Sequence, residues 1–316
     1  MHKNNMKAVV IEEYGGLNEL KEKVIDKPIP LDNQVLVEVK AASVNPIDWK
    51  LREGYLQDRY DFEFPIILGW DVAGVVADVG KHVQGFEIGD RVFARPELTR
   101  LGTYAEYTVV DDLLLAKIPD NLSFDEAASI PLAGLTAYQA LFDALEIMEG
   151  QKVLIHAGAG GVGTYAIQLA KLKGAYVATT ASKKNHGYLT SLGADQCIDY
   201  KTESFEEILS EYDAVFDTVG GQTLLNSMKV LRKGGKIVSI VEPPSEQKAG
   251  QYGIREQFLW LIPRGDQLQE LASLLGEGRL KPAPLETFPF SEKGVRNAQE
   301  LSESGHTRGK IVIKMG

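Results

Sequence analysis

A glycine-rich segment near the middle of the chain constrains the fold more than any other feature. Residues 156–163 read His-Ala-Gly-Ala-Gly-Gly-Val-Gly. This segment follows an apolar run, Lys152–Ile155, that predicts a strand, and it precedes Thr164–Lys173, whose apolar residues predict a buried helix. A second predicted strand, Ala175–Thr180, comes next. Strand, glycine turn, helix and strand together predict a βαβ unit, which belongs in a parallel sheet.

The spacing of three of these glycines predicts a dinucleotide-binding site. Gly158, Gly160 and Gly163 fit the pattern G-x-G-x-x-G in its strand-to-helix context. In that pattern one glycine permits the tight turn, one lets the backbone approach a pyrophosphate, and one lets the helix pack close to the strand. The free N–H groups at the helix start favour the phosphates. A merely structural glycine turn is the alternative interpretation.

The end of the second strand indicates which dinucleotide binds. Sites that prefer NAD usually place Asp or Glu here, because a carboxylate accepts hydrogen bonds from the ribose 2′-hydroxyl. This chain instead continues as Ala181-Ser182-Lys183-Lys184, which offers a 2′-phosphate one hydroxyl and two ammonium groups. The net charge is −10, so a local lysine pair stands out. The sequence predicts NADPH over NADH and leaves open whether Lys183 or Lys184 contacts the 2′-phosphate; two ordinary surface lysines are the alternative.

Composition restricts the class of protein. With 316 residues, 44% of them hydrophobic and 25% charged, the chain has the size and balance of one large or two medium globular domains. The acidic charge argues against nucleic acid as a main partner. The single cysteine, Cys197, excludes an intrachain disulfide and a thiolate metal cluster. No signal peptide and no membrane span are evident, so we expect a cytoplasmic protein.

The pattern of elements changes along the chain and predicts two domains. About the first 120 residues are β-rich and glycine-punctuated, with predicted strands at Gln34–Ser43, Val72–Val79 and Tyr104–Val110, as in a compact barrel. From a capping box at Ser123–Glu126 onward, predicted helices and strands alternate, which is typical of a doubly wound parallel sheet. We place the domain boundaries near 122 and 262, so that 1–122 and 263–316 form one domain and 123–262 the other. Further predicted elements are helices at Thr136–Leu145 and Asp266–Leu275 and strands at Gln196–Ile198, Asp213–Asp217, Lys236–Ile240 and Lys310–Lys314.

Four stretches of the chain resemble one known family. They are Ala42–Asp48, with its Asn-x-x-Asp pattern, Leu68–Val92, Ile130–Ala137 and Gly305–Val312. Together they resemble the zinc-independent, ζ-crystallin-like quinone oxidoreductases of the medium-chain dehydrogenase/reductase superfamily. The resemblance extends over nearly the whole chain. It implies an α/β fold in which both ends of the chain build a GroES-like β-barrel domain and the middle forms a Rossmann domain.

The resemblance also assigns site residues. Asn45, the proposed catalytic residue, would face the nicotinamide or the substrate. Lys50 and Leu56 occupy positions where some relatives have pocket tyrosines, so the acceptor is not specified. The expected cofactor contacts are Thr136 near the nicotinamide half, Gly160, Gly161 and Val162 at the pyrophosphate, Ser182, Lys183 and Tyr200 around the 2′-phosphate, Val219 and Ile240 along the cofactor, and Arg308 and Lys310 on its far side. Gly158 and Gly163, the other glycines of the motif, are also assigned to the cofactor site.

No metal site is predicted. Zinc alcohol dehydrogenases of the superfamily have Cys where this chain has Asn45 and a His-Glu pair where it has Trp70-Asp71, and catalytic zinc needs three protein ligands. The five histidines are scattered in sequence. His156 ends a predicted buried strand, which favours a hydrogen-bonded core imidazole. Asp48 is interpreted as a carboxylate that caps a turn in preference to a general acid, and no proton donor is nominated.

The absence of a predicted Lewis acid favours one kind of reaction. Alcohol oxidation lacks alkoxide stabilisation here, whereas a quinone or an α,β-unsaturated carbonyl spreads the developing charge through its own conjugated system. We therefore predict NADPH-dependent hydride transfer to a quinone or enone. The alternatives are a 2-enoyl thioester reductase and an NADPH-gated binding or regulatory protein. The resemblance suggests a homodimer that forms through a sheet edge at Ile237–Ile240 and the apolar stretch 258–262, although that stretch fits a buried core equally well.

Overall fold

A computed structural model describes residues 4–316, and its internal packing divides the chain into two compact units. Residues up to Leu132 and Pro263–Gly316 form the first unit, and Ala133–Ile262 form the second. The first boundary predicted from sequence was 122. Residues 123–132 lie instead with the first unit, because the helix they contain packs against strands of its main sheet.

Strands and helices follow one another in a clear order. The strands are β1 (Asn5–Ile11), β2 (Lys21–Asp26), β3 (Gln34–Val44), β4 (Ile66–Ile67), β5 (Val72–Val79), β6 (Arg91–Ala94), β7 (Tyr107–Asp111), β8 (Leu115–Lys117), β9 (Lys152–Ile155), β10 (Tyr176–Ala181), β11 (Gln196–Asp199), β12 (Tyr212–Asp217), β13 (Leu231–Ser239), β14 (Arg255–Phe258), β15 (Leu285–Pro289) and β16 (Lys310–Lys314). The helices are α1 (Pro46–Arg52), α2 (Phe124–Ala128), α3 (Pro131–Tyr138), α4 (Gly161–Leu172), α5 (His186–Ser191), α6 (Phe205–Ile208), α7 (Gly221–Ser227), α8 (Glu246–Tyr252), α9 (Gly265–Gly276) and α10 (Glu292–Glu303). A π-helical segment, Gln139–Ala144, continues α3, so the helix predicted over 136–145 is present but irregular.

The first unit is built on two sheets. One has the strand order β2-β1-β4, and the other has the order β15-β16-β3-β5-β6-β8 with β7 also paired to β3. All these pairings are antiparallel except β15 with β16. The alternating valines of β3, Val35, Val37 and Val39, are buried in the core, as expected from their spacing.

Strand register in the main sheet brings three distant segments together. β3 lies between β5 and β16 and runs antiparallel to both, with Val44 opposite Ile311 and Ala42 opposite Val72. The end of β3 therefore meets the starts of β5 and β16. Asn45, Asp71 and Lys310 each stand one residue beyond these strand ends or at them, which places all three at one edge of the sheet.

The second unit contains a six-stranded parallel sheet with the order β11-β10-β9-β12-β13-β14. The chain proceeds from β9 outward to β11, then returns to the other side of β9 and proceeds from β12 outward to β14. This confirms the predicted doubly wound sheet. The reversal lies between β9 and β12, and in such sheets ligands bind beyond the carboxyl ends of the strands at the reversal.

The strand order corrects one prediction. Ile237–Ile240 was expected at a sheet edge, but β13 is internal because β14 pairs with it, with Ile237 opposite Glu256. β14 itself is the edge strand. Its last residue begins the apolar stretch 258–262, which is partly exposed. Among residues 4–316, no helix has both the length and the apolar character that a membrane crossing requires.

Candidate functional site

The glycine turn joins β9 to α4 at the reversal point of the parallel sheet. Gly160 stands immediately before the helix, which begins at Gly161 and not at Thr164 as predicted, because the glycines themselves form its first turn. A Cβ at Gly163 would lie 2.5 Å from the Ala157 carbonyl oxygen and 2.6 Å from the Gly158 Cα. A Cβ at Gly158 would collide with the Thr179 side chain. These two glycines are therefore required by packing.

Gly160 differs from its two neighbours in the motif. Its hypothetical Cβ would meet only the Ala157 carbonyl oxygen, at 3.3 Å. Packing within the protein thus does not demand a glycine there, whereas close approach of a ligand to the backbone would. Ala157 itself adopts a left-handed conformation (φ 50°), which is uncommon for a residue with a side chain. Its N–H donates to Thr180 Oγ1 at 3.2 Å, and the next N–H, of Gly158, donates to the Thr180 carbonyl at 3.1 Å.

Most of the other predicted cofactor residues lie at the same edge of this sheet. Because the strands are parallel, residues that follow their carboxyl ends lie side by side, about 4.8 Å apart from strand to strand. Thr136 is not among them; it lies buried in α3. The residues at this edge are the glycine turn after β9, Ser182 and Lys183 after β10, Tyr200 after β11, Val219 after β12 and Ile240 after β13.

The residues predicted to surround a 2′-phosphate are accessible. Lys183 and Lys184 are exposed in a single 3-10 turn that begins directly after Ser182, and Tyr200 is 54% exposed. No carboxylate belongs to this turn. The structure therefore leaves both lysines available to an anion and does not distinguish between them.

A buried carboxylate shapes the loop that carries Val219. Asp217 accepts hydrogen bonds from the backbone N–H groups of Val219 (3.2 Å) and Gly220 (3.0 Å) and from the Ser239 hydroxyl (2.7 Å). Gly220 has a left-handed φ of 80°. The role of Asp217 is thus to fix the loop between β12 and α7 and to tie it to the end of β13.

His156 is a neutral core residue, as its position in the sequence suggested. Its Nδ1 lies 3.0 Å from Thr180 Oγ1 and its Nε2 lies 2.8 Å from Ser227 Oγ. The ring packs edge-on against Phe205. Burial lowers the pKa of His156 to about 3, so the imidazole is uncharged at neutral pH.

In the first unit, Asn45 lies in a buried polar cluster. It is only 2% exposed, and its Nδ2 donates to Asp71 Oδ2 at 2.8 Å. The Lys310 amine donates to Asn45 Oδ1 and, at 3.2 Å, to the Val44 carbonyl. It also lies 3.6 Å from Asp71 Oδ2. The carboxamide is therefore held from both ends.

Asp71 and Lys310 are both removed from solvent. Asp71 further accepts from Ser43 Oγ at 2.6 Å and from the Leu132 backbone N–H at 2.8 Å. Burial raises the pKa of Asp71 and lowers that of Lys310, and their mutual attraction opposes both shifts. The family resemblance assigns Lys310 to the far side of the cofactor together with Arg308. Arg308 is exposed, but Lys310 is buried and its amine is directed at protein oxygens.

Asp48 joins the same cluster and caps α1. Its Oδ2 accepts from the Asn45 backbone N–H at 2.8 Å and from the Tyr104 hydroxyl at 2.6 Å, while its Oδ1 has no partner among the described residues. Burial raises the pKa of Asp48 to about 7, despite these hydrogen bonds. This environment matches the interpretation of Asp48 as a structural carboxylate.

The residues at the expected zinc position do not fit that metal. Trp70 is buried and its indole N–H donates to the Thr99 carbonyl, Asn45 is a neutral amide, and both oxygens of Asp71 are engaged. Within residues 4–316, no three His, Cys, Asp or Glu side chains come together in a way that holds a metal ion. The donor set that catalytic zinc requires is thus missing.

Two protein families match separate parts of the chain. Residues 31–120 match the family described as alcohol dehydrogenase GroES-like domain, and residues 192–313 match the family described as zinc-binding dehydrogenase. Among curated relatives, the chloroplastic NADPH-dependent alkenal/one oxidoreductase of Arabidopsis thaliana is 40% identical over 98% of this chain and 79% of its own length.

Solved structures of quinone oxidoreductases also resemble this chain over nearly its whole length. The quinone oxidoreductase of Coxiella burnetii is 39% identical, with a TM-score of 0.89 over 98% of this chain and 99% of that one. The Escherichia coli quinone oxidoreductase solved in complex with NADPH is 29% identical, with a TM-score of 0.88 over the same shares of the two chains. The GroES-like first unit, the parallel sheet of the second unit and these relatives together show that the chain belongs to the quinone oxidoreductase group of the medium-chain dehydrogenase/reductase superfamily.

Proposed function

We propose that this protein is an NADPH-dependent oxidoreductase that transfers hydride to a quinone or an α,β-unsaturated carbonyl without zinc. The observation that carries the proposal is the glycine turn at the reversal point of the parallel sheet, with the exposed pair Lys183 and Lys184 at the end of the neighbouring strand. Relatives named as NADPH-dependent alkenal/one and quinone oxidoreductases support it.

The second unit would bind the cofactor mainly through its backbone. N–H groups of Gly161 and Val162 at the start of α4 would contact the pyrophosphate, favoured by the partial positive charge of the helix end. Ser182, Lys183 and Tyr200 would surround the 2′-phosphate, and Val219 and Ile240 would line the path of the cofactor. Thr136 and Arg308 remain assigned to it through the family. When bound, NADPH supplies the hydride.

The first unit would orient the acceptor without forming a bond to it. A conjugated carbonyl spreads the charge that develops after hydride transfer, so a hydrogen-bond donor and exclusion of water suffice where alcohol oxidation would need a metal. Asn45 carries such a donor in its carboxamide, and the resemblance assigns it to the nicotinamide or the acceptor. Zinc plays no part in the proposed reaction, because the residues at its expected place do not fit it.

The experiment is to follow NADPH oxidation by absorbance with a panel of quinones, enals, enones and 2-enoyl-CoA thioesters, with total metal measured on the same sample. We expect turnover of quinones or enones, a preference over NADH, and no stoichiometric zinc. A clear preference for enoyl-CoA would favour the thioester reductase instead. Tight NADPH binding without turnover of any acceptor, or activity that needs zinc, would refute the proposal.

We further propose a cytoplasmic homodimer in which β14 pairs with its counterpart in a second copy. The backbone groups on the outer side of β14 have no sheet partner among residues 4–316, which makes such pairing favourable. Light scattering after gel filtration tests the oligomeric state. Leu259 donates its backbone N–H to the Ser239 carbonyl of β13, so the alternating N–H of Glu256 points to the outer side of β14. Glu256→Pro, which removes that outer donor, is expected to give a monomer, and a wild-type monomer would contradict this assignment.

A further inference from the structure

Lys310 has a chemical environment that its assignment to the cofactor does not explain. It is 5% exposed, and its amine donates hydrogen bonds to the Asn45 side chain and the Val44 carbonyl. Arg95 is the other buried cation near Asp48 and Asp71, but its guanidinium donates to the neighbouring Pro96 carbonyl. Lys310 is thus the cation that directly contacts the proposed catalytic residue.

The two groups that hold Asn45 admit only one orientation of its amide. A protonated amine can only donate, so it must face Oδ1, and an ionised carboxylate can only accept, so Asp71 must face Nδ2. A flip of the amide would oppose donor to donor and acceptor to acceptor. One Nδ2 hydrogen is used by Asp71, and among the described residues the amide nitrogen has no second acceptor. The remaining N–H is free for a ligand.

We propose that Lys310 is a positioning residue for the reaction: with Asp71 it fixes the Asn45 carboxamide so that one N–H is presented to the acceptor oxygen. This inference rests on the proposed function. It also accounts for the misfit to zinc, since a fixed ammonium group lies beside Asp71 and Asn45, the residues at the position expected to hold the metal.

The test is a double-mutant cycle of Lys310→Met and Asn45→Ala, with Lys314→Met as the matched control. Lys314 lies on the same strand with its side chain 62% exposed and paired with Asp125. Steady-state kinetics give kcat and KM for the acceptor, and fluorescence titration gives the Kd for NADPH. Near-UV circular dichroism monitors the fold of each variant.

We expect K310M to lower kcat about 100-fold, because a catalytic group displaced by about 1 Å loses that much. N45A should lose a similar amount, and the double variant should lose little more than either single one, because Lys310 acts through Asn45. The Kd for NADPH should be unchanged, and K314M should behave like wild type. Weakened NADPH binding with intact kcat in K310M would restore Lys310 to the cofactor site and overturn the proposal, as would multiplicative losses in the double variant.

Two further measurements cover the remaining outcomes. If K310M does not fold, Asp71→Asn perturbs the other end of the same amide, and its cycle with N45A carries the same expectations. The side-chain NH₂ signals of Asn45 in ¹⁵N-labelled protein, identified by their loss in N45A, should shift in K310M or D71N but not in K314M. Unshifted signals would contradict the proposal that Lys310 and Asp71 fix the Asn45 carboxamide. Because this readout needs no turnover, it distinguishes failure of the proposed positioning of Asn45 from failure of the proposed function.

Discussion

The two units of this protein build their sites from different chemical groups, backbone groups in one and buried charged side chains in the other. The second unit offers a ligand mostly backbone groups, from a glycine turn and a helix start, and its core contains the uncharged imidazole of His156. The first unit instead buries Asp48, Asp71, Arg95 and Lys310 around one amide. The backbone site is encoded in a contiguous segment, whereas the charged cluster joins residues as far apart as Asn45 and Lys310. Substitutions should therefore act differently in the two units.

The largest expected effect is the loss of a buried charge in the first unit. Lys310→Met leaves Asp71 buried without its cation, and removal of one partner of a buried ion pair costs about 3–5 kcal/mol of the free energy of unfolding. Urea denaturation measures this loss. The surface pair Lys314–Asp125 is the control, since Lys314→Met should cost less than about 1 kcal/mol. Equal costs at the two sites would show that the cluster is not charged.

The next effect concerns cofactor choice in the second unit. Replacing Lys183 and Lys184 by Ala should reduce the preference for NADPH over NADH by about 10- to 150-fold, the equivalent of about 1.5–3 kcal/mol for one charge-assisted contact. The measurement is kcat/KM with each cofactor, and the two single variants show which lysine is responsible. Lys173→Ala, at the opposite end of α4, serves as the control. An unchanged preference in the double variant would remove both lysines from the site.

A smaller effect is expected from the backbone itself. Gly163→Ala places a methyl group 2.5 Å from the Ala157 carbonyl oxygen, and the shift needed to relieve this contact costs about 1–3 kcal/mol. NADPH affinity should fall as well, because the turn moves. Gly187→Ala, in α5 where the added methyl group meets open space, should be neutral or slightly stabilising. Both quantities come from thermal unfolding with and without NADPH.

The smallest effects are opposite pH dependences in the two units. The pKa of His156 is lowered to about 3, so between pH 3 and 6.5 the unfolded chain binds more protons and this residue makes stability fall as the pH drops. The pKa of Asp48 is raised to about 7, so between pH 4 and 7 the folded chain binds more protons and stability falls as the pH rises. Each contribution is at most about 1.4 kcal/mol per pH unit.

Variants separate these two contributions. Between pH 5 and 6.5, the stability of His156→Gln should fall more steeply with rising pH than that of wild type. The reason is that the variant lacks the His156 contribution, which makes stability rise with pH and so opposes that of Asp48. Asp48→Asn should show the reverse change in slope. Denaturant unfolding at several pH values measures both, and slopes that match wild type in either variant would contradict the corresponding pKa.

The comparison also explains how far the amino-acid sequence can be read alone. The glycine turn, β9 at Lys152–Ile155 and the capping box at Ser123 were predicted from neighbouring residues, and the structure confirms them. Such features depend on local backbone preference and on apolar spacing over a few residues, so the information lies within the segment itself. The doubly wound sheet follows from the same local alternation of strands and helices.

Which distant strands pair with each other could not be predicted from the amino-acid sequence alone. β14 covers β13, which made the predicted sheet edge wrong, and α2 packs on the first unit's sheet, which moves residues 123–132 out of the second unit. The resemblance assigns Lys310 to the cofactor, and only the register of β16 against β3 reveals that its amine donates to the Asn45 side chain. A hydrogen bond between residues 265 positions apart leaves no local pattern, because burial and charge pairing depend on which strands become neighbours.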